Sequence, residues 1–431
     1  MTSILVSQLA EYSGQSVSLK GWIFNFRSSG GLYFLQFRDG TGFVQAVVEK
    51  SGVSEAVWGA CEQVTMESSV ALSGTVSEHP KKPGVFELRV DGLKIIQRAS
   101  EYPIAKKEHG PDFLLDHRHL WLRSPRQWAI QRIRDAVITA IYAFYHQRGF
   151  IKIDTPIITP NACEGATELF GITYFDEGQA YLSQSGQLYL EAAIMSVGRG
   201  FDFGPTFRAE KSKTRRHLTE FWMMDAEAAF VEHEDSMKLQ EEMICAIVEH
   251  CLMHCQQEFT ILERDTTPLK KIKAPFTRLT YTEAIKKLNE LGSDIKFGED
   301  LGNDDEGLLT RDSSVPVFVH KWPASIKPFY MKVDPANPDL VLNDDLIGTA
   351  GAGELIGGSQ REDDYEILKS KIEAEGLQGE EYQWYLDLRK YGSVPHSGFG
   401  LGLERTVGWI AGAEHIRETI PFPRLINRFK P

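Results

Sequence analysis

The stretch 204-GPTFRAEKSKTRRHLTEFWMMDAEAAF-230 sets two apolar, alternating runs on either side of a short loop holding Lys211, Lys213, Arg215, Arg216 and His217. Alternation over this length predicts two antiparallel strands, and so a hairpin with a basic tip. Side chains two apart on a strand share a face. Arg208 is therefore expected beside Glu210, and Phe221, Met223, Asp225 and Glu227 beside one another on the returning strand. Isolated buried charges are costly, so such a face is either solvated with cross-strand pairs or the wall of a cleft.

Upstream, residues 1–100 read as a short helix and then five strands, VSLKGWIF, LYFLQFRD, GFVQAVVE, SSVALSGTV and FELRVDGLKII, which predict a small closed barrel. Within it Arg27, Tyr33, Phe34, Gln36, Arg38 and Gln45 interleave rings, cations and amides. That mixture suits an OB-fold gripping single-stranded bases, and equally a barrel whose aromatics fill its core. Residues 101–123 turn polar and basic and read as a linker. Ser124-Pro125 starts a helix whose apolar stripe, Ile130, Ile133, Val137, Ala140, Ile141 and Phe144, runs until Gly149. The strand FIKID and the proline-broken TPIITP follow.

Residues 161–170, NACEGATELF, form a polar loop, and YLSQSGQLYLEAAI follows it. Residues 231–310 hold a helix with Met237, Leu239, Met243, Ile244 and Ile247, then the acidic GEDLGNDDEG, which is read as solvated surface without chemistry. VPVFVHKWPASIKPFYMK is a strand, a break and a strand. The glycines nearby do not make a dinucleotide fingerprint. Gly351 and Gly353 lack a partner at 356, and Gly398, Gly400 and Gly402 alternate along a strand, leaving room for a flat ligand against the backbone.

With 431 residues, 42% hydrophobic and 25% charged, the chain can bury two or three domains. No apolar run approaches the ~20 residues that span a bilayer, and the N-terminus lacks a basic start and cleavage site, so the expected location is cytoplasmic, with no membrane partner. The net charge of -13 argues against nonspecific nucleic-acid binding, though local basic patches still grip a specific RNA. Five cysteines without paired CxxC spacing argue against disulfides and a zinc site.

FRAE, the basic loop and RHLTEF resemble motif 2 of the class II aminoacyl-tRNA synthetases, in the branch that handles aspartate, asparagine and lysine. The helix, FIKID strand and prolines resemble motif 1, the family's dimer interface, and GLGLER resembles motif 3. The resemblance implies an α+β chain with three parts: an OB-fold anticodon-binding domain over 1–100, a linker over 101–123, and a catalytic domain over 124–431. The last is an antiparallel sheet of six or seven strands flanked by helices. It further implies ATP and Mg2+, a tRNA, and a homodimer built through motif 1.

Residue by residue, Arg208 would hold the α-phosphate and the amino-acid carboxylate. Glu210 would meet the adenine amino group and Phe221 would stack on adenine, with Arg216 and His217 facing phosphates. Arg405 would reach the γ-phosphate, Glu354 would hold magnesium with Asp345 as a second metal candidate, and Arg361 would hold the substrate's side-chain oxygen. Glu164, in the mobile loop, would face the α-amino group with Gln184 and Gln187. In the barrel, Phe34 would stack on the middle anticodon base, Gln45 and Glu87 would read its edge, and Arg27 would contact backbone or base. The aspartyl pattern QSPQLYKQ has a lysine that pairs with the substrate carboxylate, whereas this chain has Leu190, then Glu191, which could accept from a substrate amide or join a helix-start ion pair. The implied activity is activation of L-asparagine and its transfer to the 3′ end of tRNA(Asn). An aspartate-charging enzyme, including one that charges both tRNAs, and a non-charging RNA-binding paralogue are the rival readings.

Overall fold

The computed structural model describes residues 1–105, 107–163, 169–211, 214–377 and 380–431, in two units, Met1–Pro111 and Asp112–Pro431. In the first, the alternating runs become β1 (Ser16–Ser29), β2 (Leu32–Arg38), β3 (Phe43–Glu49), β4 (Ser68–Glu78) and β5 (Phe86–Gln97). They pair in the order β1-β2-β3-β5-β4, and β4 returns to β1 to close the barrel. Period two decides what is inside: Leu19, Ile23, Leu35, Phe37, Ala46, Val48 and Leu88 fill the core. The alternate positions face outward. The expected N-terminal helix is a 3-10 turn, Val6–Tyr12, and helix α1 (Glu55–Gln63), started by Ser54, lies between β3 and β4.

The second unit begins before residue 124. Arg118 is buried and donates from Nε to the Pro421 carbonyl at 2.8 Å and from Nη2 to that of Ile420 at 2.9 Å. These bonds fix the short helices Pro111–Asp116 and Arg118–Trp121 to the C-terminal segment, so the linker reading of 101–123 fails for its second half. Helix α2 (Pro125–Gln147) opens as its sequence predicts: the Ser124 hydroxyl accepts from the Gln127 N–H at 3.3 Å, Pro125 takes the first helical position, and Gly149 follows at φ +75°.

Among the described residues, the main sheet of this unit has eight strands: β6 (Ile151–Lys152), β7 (Arg199–Phe207), β8 (Glu220–Ala229), β9 (Thr277–Thr280), β10 (Val317–His320), β11 (Asn343–Gly348), β12 (Gly353–Gln360) and β13 (His396–Gly402). Their order is β9-β10-β11-β12-β13-β8-β7-β6. The six central strands are antiparallel, as expected, but β6 and β9 at the edges pair in parallel. Each edge strand is joined to its neighbour through a helix-bearing crossover, which parallel pairing requires.

One face of the sheet is covered by α2, by α4 (His233–His254) and by α6 (Leu403–Ala411). Val137, Ile141, Met243, Ile247 and Val407 pack there against Phe201, Met224 and Leu401. Against the other face lie α3 (Gln187–Val197) and α5 (Gln383–Lys390), tied by Tyr189 stacked on Trp384 at 5.0 Å. Helices Tyr281–Glu290 and Asn303–Thr310 cover the same face over β10 and β11, with Tyr281, Leu288 and Leu309 against Val317, Val319 and Ile347, and a cleft opens between these two groups. Among the described residues no helix is long and apolar enough to cross a membrane.

Candidate active site

The hairpin of β7 and β8 sits beside β13 at the centre of the cleft-bearing face. Its ladder ends at Phe207 opposite Glu220, so Arg208 and Glu210 lie in the loop and not on a common strand face. The returning strand behaves as its alternation predicts. Phe221, Met223 and Asp225 line the cleft and Glu227 lies buried on the same face, and Met223, Asp225 and Glu227 stand opposite Gly402, Gly400 and Gly398 of β13.

The glycine stripe serves a different purpose from the one its spacing suggested. A Cβ on Gly398 would come 2.0 Å from the Glu227 carboxylate, and one on Gly400 would come 2.7 Å from that of Asp225. Only Gly402, with nothing within 4 Å, leaves its space to a ligand. The first two glycines house carboxylates from the neighbouring strand.

Two cavities open on this face. In the first, of about 330 Å³, the sequence-predicted nucleotide residues Arg208, Glu210, Arg216, His217, Phe221, Glu354 and Arg405 all form the lining. Arg208 lies over the Phe221 ring at 5.5 Å. Arg405 donates from Nη1 to the Glu354 carbonyl at 2.8 Å. Burial, then the charges of Arg405 and its neighbours, lower the His217 pKa, so this ring is neutral among cations. The far wall, Leu425–Arg428, comes from the C-terminus and is pinned by Arg428 to Asp116 at 2.5 Å; nothing in local sequence signalled it.

The second cavity, of about 750 Å³, is lined by Ser185, Gln187, Asp225, Tyr330, Asp345 and Arg361 among others. It shares Arg208, Met223, Glu354 and Gly400 with the first. The two cavities thus meet at an arginine and a glutamate.

Within the second cavity Asp225 Oδ2 accepts from the Ser185 hydroxyl at 2.9 Å and from the Gly186 N–H at 2.8 Å. Burial outweighs those bonds and pushes its pKa up to about 6. Arg361 is 3% exposed. It donates from Nε to Glu227 at 3.1 Å, from Nη2 to the same carboxylate, and from Nη1 to the Ser359 hydroxyl at 2.6 Å. Glu227, whose role the sequence reading did not assign, is raised to about 7 by burial despite Arg361.

Several expectations need correcting. Gln184 is buried, and its oxygen accepts from the Cys163 N–H at 3.2 Å; it supports the loop and does not line the cavity. Leu190 is fully buried, its methyl 3.6 Å from where a Cβ on Gly200 would lie, and it lines neither cavity. Glu191 is also fully buried, engaged by Arg389, Tyr385, His396 and Gln187, so it cannot accept directly from a ligand there. Leu190 and Glu191, three and four positions past Gln187, share its face of α3 but lie a turn further along, where that face is packed beneath the cavity and Gln187 itself donates to Glu191. Glu164 lies outside the described residues.

The acidic stretch read as bare surface reaches the site. Arg216 Nη1 bonds Asn303 and Glu306, each at 2.8 Å, and its Nη2 bonds the Gly351 carbonyl at 2.6 Å. Asp300 and Glu306 face Asp345 and Glu354 across the second cavity. Burial and the charge of Glu354 lift Glu306 to about 7, and burial lifts Asp345 to about 6 although Lys327 Nζ sits 2.9 Å from it. Carboxylates crowded together in this way favour a cation. Among the described residues no three such groups converge to hold one unaided. This donor set fits Mg2+, which one or two carboxylates usually hold together with substrate phosphates.

In the barrel, Arg27, Phe34, Gln45 and Glu87 occupy outward positions on neighbouring strands. The Arg27 guanidinium lies 4.5 Å from the Phe34 ring centroid, and Gln45 Nε2 is 3.3 Å from Glu87 Oε2.

Residues 110–426 match the family of class II tRNA synthetases (D, K and N), and residues 17–96 match the OB-fold nucleic acid binding domain. The asparagine–tRNA ligases of Pelotomaculum thermopropionicum and Symbiobacterium thermophilum are each 53% identical to this chain, over all of both sequences. The crystal structure of asparaginyl-tRNA synthetase from Pyrococcus horikoshii complexed with asparaginyl-adenylate superposes with a TM-score of 0.95 at 44% identity, covering 99% of each chain. A family match over residues 110–426, a hairpin whose basic loop and aromatic strand line one cavity, and a closed barrel ahead of them lead to one assignment: the chain belongs to the class II tRNA synthetases of the aspartate, lysine and asparagine branch.

Proposed function

We propose that this chain activates L-asparagine with ATP to form asparaginyl-adenylate, then transfers the asparaginyl group to the 3′ end of tRNA(Asn). The observation that carries this reading is the meeting of two differently furnished cavities at Arg208 and Glu354. One has a ring and arginines for a nucleotide, the other a buried carboxylate–guanidinium pair for a small polar side chain.

Phe221 stacks on adenine, Glu210 accepts from its amino group, and Arg216, His217 and Arg405 face the phosphates. Arg208, at the shared wall, holds both the asparagine carboxylate and the α-phosphate, so attack is brought about by positioning and charge stabilisation without a protein nucleophile. Glu354, with Asp345 beside it, would hold the magnesium ion, which neutralises phosphate charge when bound. Asp225 and Gln187 take the α-ammonium group. Arg361 donates to the side-chain carbonyl oxygen, and Glu227 accepts from the amide nitrogen, a hydrogen bond that an aspartate carboxylate cannot supply.

The barrel, as the anticodon-binding domain, offers Phe34 as a stacking platform with Gln45, Glu87 and Arg27 around it. A homodimer through α2 and β6 is supported by exposed apolar residues near that edge, with Ile151 at 50%, Ile157 at 44% and Ile158 at 46% exposure. ATP–pyrophosphate exchange run in parallel with asparagine and with aspartate tests the central claim. Exchange driven by asparagine alone is expected, and exchange driven by aspartate would overturn the choice of amino acid.

A further inference from the structure

Behind Arg361, on the side away from the cavity, α3 and α5 enclose a second layer of charge. Glu191 is fully buried, and Arg389 is 6% exposed. Glu191 Oε2 accepts from Arg389 Nη2 at 2.6 Å, and both its oxygens lie 2.8 Å from the Tyr385 hydroxyl. Gln187, from the cavity wall, donates to its Oε1 at 3.1 Å. The His396 ring spans Glu191, at 3.1 Å, and the Val394 carbonyl, at 2.8 Å. Arg361 Nε is 3.9 Å from Glu191 Oε1, so this guanidinium lies between two carboxylates, Glu191 behind and Glu227 beside it.

Each guanidinium in this cluster thus faces a carboxylate, in surroundings with almost no water to screen them. A neutral amide entering the cavity leaves that balance as it is. A carboxylate adds a negative charge beside an arginine already matched, where low-dielectric surroundings make an unmatched charge expensive. Burial opposes the Glu191 charge, but Arg389, His396 and Arg361 outweigh it and hold its carboxyl well below the usual range.

Resting on the asparagine reading above, we propose that Glu191 is a specificity-determining residue that never meets the substrate: its buried charge offsets Arg389 and Arg361, so the site selects a side-chain amide over a carboxylate. Discrimination then depends on a residue beneath the cavity floor as well as on those that line it. Glu191 acts through Arg361 and Gln187 as a positioning residue.

The test is ATP–pyrophosphate exchange by the full chain with asparagine and with aspartate, for the parent, Glu191→Gln, Arg389→Gln and the double variant, after folding is checked by circular dichroism and thermal melting. Glu191→Gln keeps the shape and removes the charge. It is expected to lower the asparagine-to-aspartate ratio of kcat/KM by about tenfold or more, chiefly through a lower KM for aspartate. Arg389→Gln removes a positive charge and should not lower that ratio, and the double variant should return toward the parent. A purely structural role would make both single variants fall together and the double fall further. That outcome, or an unchanged ratio in folded Glu191→Gln, overturns the proposal. Should Glu191→Gln fail to fold, the sign of the Arg389→Gln change and the behaviour of the double variant still decide. A parent active with neither amino acid overturns the functional reading itself, which an asparagine-selective parent with an unresponsive variant does not.

Discussion

Asp225 illustrates how a strand residue acquires its chemistry from what its neighbours lack. It needs the bare backbone of Gly400 for room and the Ser185 hydroxyl and Gly186 N–H for hydrogen bonds, and burial still raises its pKa from 3.8 to about 6. A carboxyl whose folded pKa is raised binds its proton more tightly in the native state. Stability contributed by that proton is present below pH 4 and is lost as pH rises through about 6. Relative to the parent, Asp225→Asn should therefore gain about 2 kcal/mol of unfolding free energy between pH 4 and pH 7, read from urea melts at each pH. Asparagine-driven exchange by the same variant should fall, because the neutral side chain no longer pairs with the α-ammonium group. The sequence disclosed Asp225 as a charge on a cleft-facing strand, but not the direction of its titration, which depends on residues forty positions away.

At the scale of elements, β13 was legible as a strand and its alternating glycines as deliberate space. What fills that space was not legible, because the register against β8 is a tertiary fact. Gly398→Ala forces a methyl into the Glu227 carboxylate. It should cost about 1–3 kcal/mol of stability and abolish asparagine-driven exchange by displacing the partner of Arg361. Gly402→Ala meets nothing within 4 Å, so its melting temperature should stay near that of the parent while KM for ATP rises. Thermal melts of the two proteins side by side separate the glycine that makes room for protein from the one that makes room for ligand. The motif 2 residues that line the first cavity could be gathered from sequence because they are contiguous. Asn303 and Glu306, which bind Arg216, and Arg389, in the buried layer behind Arg361, escaped because each comes from a distant segment with no pattern of its own.

At the scale of the whole molecule, the barrel and the sheet are separate units with separate cores, each foreshadowed by its own periodicity. The boundary was the least legible part, since Arg118 ties a polar stretch into the second unit through backbone carbonyls that leave no mark in sequence. Separate cores allow separate failures. Phe34→Ala removes a stacking surface worth roughly 1–3 kcal/mol per base. It should raise KM for tRNA(Asn) in charging assays about tenfold or more while leaving asparagine-driven exchange unchanged.

The wall common to the two cavities has a thermodynamic consequence. On the function proposed above, a ligand in either one would engage Arg208, a side chain that lines both cavities. Any entropy lost in holding that arginine against a ligand would then be lost once for the pair and not once for each. Nucleotide and amino acid would in that sense be effectors of one another, each tightening the other by the same factor, as reciprocity requires.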